Sequence, residues 1–163
     1  MILPADSAQY PEIVELVTAV YVGEGYTDAE IGRRMFVPTE LRRRGDILVA
    51  VTAEREIIGT VILAEPTSPL RQIAHEGEAE VQLLAVRARF RANGLGAALM
   101  EACHERARSK GYSKIVLSTQ PAMGAAQRLY ERLGYRRNAS RDWQARGRQF
   151  LVYEKSLAGG KLA

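Results

Sequence analysis

The stretch from Val81 to Gly96 constrains this chain more than any other. Val81-Gln82-Leu83-Leu84-Ala85-Val86 reads as an apolar strand, Arg87-Ala88-Arg89-Phe90 as a basic turn, and Arg91-Ala92-Asn93-Gly94-Leu95-Gly96 as a glycine-bearing helix entry. The helix follows at once in Ala97-Ala98-Leu99-Met100. A loop that runs straight into a helix leaves the first N–H groups without intrahelical partners and aims them outward. Together with the positive end of the helix dipole, such groups hold a phosphate or pyrophosphate. Glycine lets the backbone approach the anion closely, because no Cβ intervenes. The pattern therefore predicts a phosphorylated ligand.

Two common nucleotide loops do not fit. A dinucleotide fold needs a third glycine and an early position in the chain. A triphosphate loop needs Gly-Lys-Ser/Thr, which is absent. The segment instead resembles motif A of the GNAT-superfamily N-acetyltransferases, Arg/Gln-x-x-Gly-x-Gly/Ala after a strand. A second segment, Ala125-Ala126-Gln127-Arg128-Leu129-Tyr130-Glu131-Arg132-Leu133-Gly134-Tyr135, resembles motif B of the same family. The two motifs stand in the order and at the spacing expected within one domain.

Composition agrees with a soluble globular protein. The 163 residues suffice for one core, and 47% hydrophobic with 26% charged content is ordinary for a globular chain. No apolar run approaches membrane-spanning length, and Met1–Asp6 lacks the basic and apolar regions of a signal peptide. The single Cys103 excludes an intramolecular disulfide and suits a reducing compartment, hence an expected cytoplasmic location. No Cys/His cluster supports a metal, since the two histidines stand apart at 75 and 104. A net charge of +4, spread along the chain, serves a polyanionic co-substrate but lacks the footprint of a nucleic-acid binder.

Residues 1–158 read as a single domain, and 159–163 as a flexible tail, either linker or engineered remnant. Met1–Pro4 can form a strand. Ile13, Leu16, Val17 and Val20 mark a helix over 8–22, broken by Gly23 and Gly25. Thr27 and Glu30 stand three apart as a capping box for a second helix, and a further turn through Leu41–Arg44 ends at Gly45. The period then changes to β-branched runs at 47–51 and 57–63, joined as a hairpin through Glu54-Arg55. Residues 65–77 form a loop long enough for a lid or an edge excursion. A strand at 78–86, a helix at 94–110, a strand at 115–117, a helix at 122–133 and strands at 135–138 and 149–157 complete the chain. This order predicts an α+β, three-layer fold: a mixed, mostly antiparallel central sheet with helices on both faces. The GNAT resemblance implies the same arrangement.

The resemblance also implies the chemistry, transfer of an acetyl group from acetyl-CoA to a primary amine by direct attack. Arg91, Ala92, Asn93, Gly94, Leu95, Gly96 and Ala97 would take the pyrophosphate. Leu84, Ala85 and Val86 would offer main-chain groups to the pantetheine arm and thioester, with the Val86 N–H as oxyanion-type donor; their side chains are core in either case. Tyr130 stands at the motif B tyrosine that protonates the leaving thiolate, or else packs its ring in a buried stripe with Ala126, Leu129 and Leu133. Glu80 is the candidate base, because its even spacing from Val86 puts both on one sheet face; a water is the alternative, and a plain strand-edge carboxylate is another. One departure matters. Many family members carry Asn seven residues before the tyrosine, and Met123 stands there. Met cannot supply that hydrogen-bond pair, which leaves Gln120 or main-chain groups for the polar contacts while Met123 and Ala126 pack. Cys103 is read as a packed residue.

The acceptor cleft is expected between Tyr21–Arg44, the loop 65–77 and Arg141-Asp142-Trp143, with Tyr26 and Trp143 as walls. Arg33, Arg34, Arg42, Arg43 and Arg44 are either carboxylate binders or a solvated helix face; Glu24, Asp28 and Glu30 could bind a cation. A small amine or a peptide N-terminus or lysine would be the acceptor, no membrane or nucleic-acid partner is expected, and many family members dimerise. The competing reading is a CoA-binding regulatory or structural module with the same fold and no turnover.

Overall fold

A computed structural model describes residues 1–157. The tail read at 159–163, and the domain boundary placed at 158, lie outside the described residues. Three helices precede most of the sheet: α1 (Tyr10–Tyr21), α2 (Ala29–Met35) and α3 (Pro38–Arg44) follow the short strand β1 (Ile2–Pro4). The antiparallel strands β2 (Asp46–Val51) and β3 (Ile57–Ala64) then lead to β4 (Glu78–Val86) and the long helix α4 (Leu95–Ser109). Strand β5 (Lys114–Thr119), helix α5 (Gly124–Arg132) and strands β6 (Arg136–Arg137), β7 (Trp143–Ala145) and β8 (Arg148–Ser156) close the chain. The sheet order is β1-β2-β3-β4-β5-β8-β6, with β7 paired to β8 off that path. Among these pairs only β4–β5 is parallel. The mixed, mostly antiparallel sheet with helices on both faces is the expected architecture. No described helix is long and apolar enough to cross a membrane.

Each face of the sheet buries its own core. Leu99, Met100, Cys103 and Ala107 of α4 pack with Val61, Leu63, Ala79, Val81, Ile115 and Leu117 on one side. Ile13, Leu16 and Val17 of α1 pack with Phe36, Leu41, Val49 and Ile62 on the other. Alternation along the strands sends successive side chains to opposite faces, so β2 and β3 serve both cores.

Several local readings need correction. The capping box does not form: Asp28, not Thr27, caps α2, and without a side-chain hydrogen bond. The loop before β4 is no free lid. Its Gln72, Ile73 and Ala74 N–H groups all donate to the Glu80 carboxylate, and Arg141 donates to Ile73 O at 2.7 Å. The last strand begins earlier than expected, because Arg146 and Gly147 take left-handed backbone (φ 53° and 75°) and turn β7 directly into β8.

The glycine after α3 has a steric purpose. A Cβ at Gly45 would run into the backbone oxygen of Leu63 and lie 2.9 Å from Ala64 Cα. Only glycine lets the chain pass this close to β3; the preceding Arg44 is buried. Gly45→Ala is expected to lower unfolding free energy by about 1–3 kcal/mol, the usual cost of overpacking, read as a lower urea midpoint at unchanged slope.

Candidate active site

The site is built where β4 departs from regular geometry. Gln82 pairs with Ile62 and Ala85 with Thr60, so the two residues Leu83 and Leu84 oppose the single Val61. Leu83 takes a left-handed φ of 52°, the mark of a β-bulge. The extra residue reverses the side-chain parity of the strand. Ala79 and Val81 point into the α4 core before the bulge, whereas Leu84 and Val86 pack against that core after it. Glu80 and Val86 therefore lie on opposite faces, against the expectation from even spacing.

Strand β4 also parts from β5 at this level. Their parallel pairing ends at Val81–Leu117, although β4 runs on to Val86 and β5 to Thr119. On the other edge, Arg87 N–H still bonds Ile58 O at 2.9 Å. Antiparallel alternation then turns the Val86 N–H and C=O away from β3, into the gap left by β5. The Val86 C=O accepts from Arg91 Nε at 3.0 Å, and the Leu84 C=O accepts from Tyr21 OH at 2.9 Å.

At the end of the gap stands the helix entry. Ala92 and Gly94 both take left-handed backbone, φ 66° and 77°. Ala98 is the first residue of the turn to bond back, to Gly94 O, and no side chain caps the helix. Among the described residues, the six N–H groups from Ala92 to Ala97 have no partner. Such a run fits an anion such as a pyrophosphate. The second glycine bears on packing instead: a Cβ on Gly96 would sit 3.2 Å from Leu129 Cδ2, so Gly96 eases the contact of α4 with α5. The Arg91 guanidinium is already engaged, bidentate on Glu24 at 3.1 and 2.6 Å. Asn93 turns back on Phe90 O at 3.4 Å.

Tyr130 on α5 is 6% exposed, its ring tilted against Tyr135 and Tyr153 at centroid distances of 5.8 and 6.2 Å. No described side chain or main-chain group hydrogen-bonds its hydroxyl, and burial raises its pKa well above that of a free phenol. It remains a proton donor at every physiological pH. Tyr130 lines a pocket of about 750 Å³, counting the open mouth, together with Tyr21, Tyr26, Arg44, Gln82 and Met123. The ends of α1 and β5, the bulge of β4 and the β7–β8 turn enclose this space.

Glu80 does not line that pocket. Only 1% exposed, its carboxylate accepts from three consecutive main-chain N–H groups at 2.8–3.1 Å and from Gln82 Nε2 at 2.6 Å. Gln82 in turn accepts from Arg44 at 2.6 Å. Gln120 bridges to Tyr26 O at 2.9 Å, and Met123 receives the Thr119 hydroxyl at 3.3 Å. Ala126 packs at the edge of the α4 core. Cys103, buried with its thiol pushed up to about 12 by desolvation, holds no nucleophile at neutral pH. Trp143 stacks on Phe150 at 4.3 Å and bonds Ser118, behind the pocket wall. No group of His, Cys, Asp and Glu among the described residues could hold a metal ion.

Of the five arginines in 33–44, four are solvent-facing and only Arg44 is buried. Tyr21, Gln82 and Arg146, which also line the pocket, were not singled out by sequence reasoning. A polar Gln82 in the middle of an apolar strand was a signal that could have found one of them.

Comparison with known proteins agrees with this geometry. A structure of a GNAT-family acetyltransferase from Staphylococcus aureus Mu50 superposes with a TM-score of 0.77 at 17% identity, covering 96% of this chain and 98% of that one. A ribosomal-protein-alanine N-acetyltransferase from Brucella melitensis superposes at 0.68 and 19% identity, covering 96% and 99%. The N-acetylaspartate synthetase of Rattus norvegicus is 41% identical over 71 residues, 42% of this chain but only 24% of that relative's length. The sequence model of the Acetyltransferase (GNAT) family matches residues 10–135, and the chain belongs to that family.

Proposed function

We propose that this protein is an N-acetyltransferase that moves an acetyl group from acetyl-CoA to a primary amine by direct attack. The observation that carries the reading is Tyr130: its hydroxyl has no hydrogen-bond partner among the described residues, and Tyr130 lines the same pocket as Gln82 and Leu83, where β4 parts from β5. The six free N–H groups of Ala92–Ala97 suit the pyrophosphate, and the gap beside Leu84–Val86 suits the pantetheine arm. Acetyl-CoA supplies the activated acyl group; the chain's own residues do the rest. The Val86 N–H donates to the thioester oxygen as it gains charge. The phenol of Tyr130 donates its proton to the departing sulfur. The amine gives up a proton to water as the C–N bond forms and the C–S bond breaks, a proton from water restores the Tyr130 phenol, and the balance leaves an amide and a free thiol.

The base is a water rather than the Glu80 carboxylate. Four donors already fill the carboxylate, and it lies on the face opposite Val86. Glu80 acts on the site by holding the 72–74 segment and Gln82. A small-molecule acceptor is supported by the open but modest pocket and by the rat relative, whose name specifies an N-acetylated amino acid.

Thiol release from acetyl-CoA against a panel of amines tests the reading. Tyr130→Phe is expected to lower kcat by roughly 10²–10⁴-fold, the usual worth of a positioned acid, with acetyl-CoA affinity by calorimetry kept. Acetyl-CoA binding without any amine-dependent release would favour the non-catalytic binding module instead.

Two further variants separate the roles. Glu80→Gln is expected to lose roughly 1.5–3 kcal/mol of stability for a charged hydrogen bond removed, seen in denaturant unfolding, with faster amide exchange at 72–74. A direct base role would instead abolish turnover at unchanged stability. Asn93→Asp places a carboxylate at the helix entry. Its charge favours the helix dipole but repels a pyrophosphate, so acetyl-CoA affinity should fall in calorimetry with no loss in Tm.

A further inference from the structure

Arg44 is the most unusual group in the molecule. It is 4% exposed, yet it forms no ion pair with any described residue. One nitrogen donates to Gln82 Oε1 at 2.6 Å, and its buried Nε has no hydrogen-bond partner at all. The nearest compensating carboxylate, Glu80, is held one residue away, on the far side of the Gln82 amide. A guanidinium keeps its charge even when buried. Leaving a buried charged donor unpartnered costs more than almost any other polar defect. Arg44 lines the pocket that also contains Tyr130, so the edge of its guanidinium that does not bond Gln82 has a place from which a partner can come, although the Nε itself is sealed from it.

The unpaired charges of the pocket are all positive. Its charged side chains are Arg44, Arg146, Arg148 and Asp28. Arg148 and Asp28 pair with each other at 2.8 Å. Arg146, at the left-handed turn between β7 and β8, makes no hydrogen bond or ion pair with any described residue. Two cationic donors thus converge on a pocket with no free carboxylate.

We infer that the acceptor amine carries a carboxylate, and that Arg44 receives it on the guanidinium edge left free by Gln82 while Arg146 closes over it from the β7–β8 turn. This rests on the acyl-transfer reading above and narrows it to acceptors of the amino-acid class. A guanidinium fork matches a carboxylate geometrically. A polyamine or a lysine-rich peptide would bring further positive charge against two unpaired arginines and be rejected. The carboxylate orients the amine toward Val86 and Tyr130, so Arg44 is a binding and specificity residue and takes no proton.

The test uses acceptors that differ only in charge: free amino acids, their carboxamides, spermidine and O-phosphoethanolamine, each with saturating acetyl-CoA. The acids should exceed their carboxamides in kcat/KM by about 30-fold or more, the scale of one desolvated charge pair. Arg44→Gln should erase that ratio through KM while acetyl-CoA affinity is kept, and Arg146→Gln should reduce it by a smaller factor. Equal use of acid and carboxamide, or preference for spermidine or O-phosphoethanolamine, overturns the inference. If Arg44→Gln fails to fold, Arg146→Gln decides: an unchanged acid-to-carboxamide ratio overturns it. A second readout needs no turnover. Calorimetry of the CoA-saturated protein should detect N-acetyl amino acids and not N-acetyl amino amides. If no amine is acetylated, the transferase reading fails; the carboxylate site then stands if this selective binding is seen, and falls if neither ligand or both bind.

Discussion

The single extra residue in β4 governs the geometry of the whole site. A regular strand would keep its pairing with β5 to the end and satisfy its main-chain groups on both edges. The bulge at Leu83 instead rotates the strand, swaps its faces and coincides with the level at which β5 departs. Three consequences arise together. Main-chain groups at Val86 are turned into a gap, Leu83 and Gln82 line the pocket, and Glu80, on the face it shares with Gln82, is left opposite Val86. The left-handed conformation at a leucine is costly, and its persistence reflects packing on both sides, with Tyr21 at the end of α1 bonding the adjoining Leu84 carbonyl.

A second organising element is the chain of buried polar contacts from the 72–74 segment through Glu80 and Gln82 to Arg44. A carboxylate accepting several main-chain N–H bonds is a strong local anchor. It fixes a segment that would otherwise be a long free loop, and it fixes Gln82 so that its oxygen faces Arg44. The gap in this network, at the Arg44 Nε, is informative because everything around it is satisfied.

Much of this was legible in the residues. The hydrophobic period located the strands and long helices, and Arg91-x-x-Gly-x-Gly located the helix entry, because glycine and backbone donors leave a sequence signature. Tyr130 was legible from its neighbours Leu129 and Gly134. The bulge was not, since Leu83 is an ordinary apolar residue and its φ is imposed by tertiary packing. That one shift invalidated the face assignment of Glu80, which assumed a strict period of two. Arg44 sat in a run of basic residues whose other members are solvent-facing. What sets it apart is its burial against Gln82 of β4, a contact fixed by tertiary packing that no local pattern announces. Arg146 escaped notice because a lone arginine in a turn carries no pattern.

The contact between Arg91 and Glu24 bears on how such a protein loads its co-substrate. Both side chains are more than a third exposed, and a pair of that kind contributes at most about 1 kcal/mol. Opening it is therefore cheap. A polyanion arriving at the helix entry can take over the Arg91 guanidinium with little loss to the fold, while the Nε bond to the Val86 carbonyl keeps that side chain aimed. On the proposed function the glutamate would act as a placeholder, keeping the arginine extended beforehand so that less rotamer freedom is lost on capture.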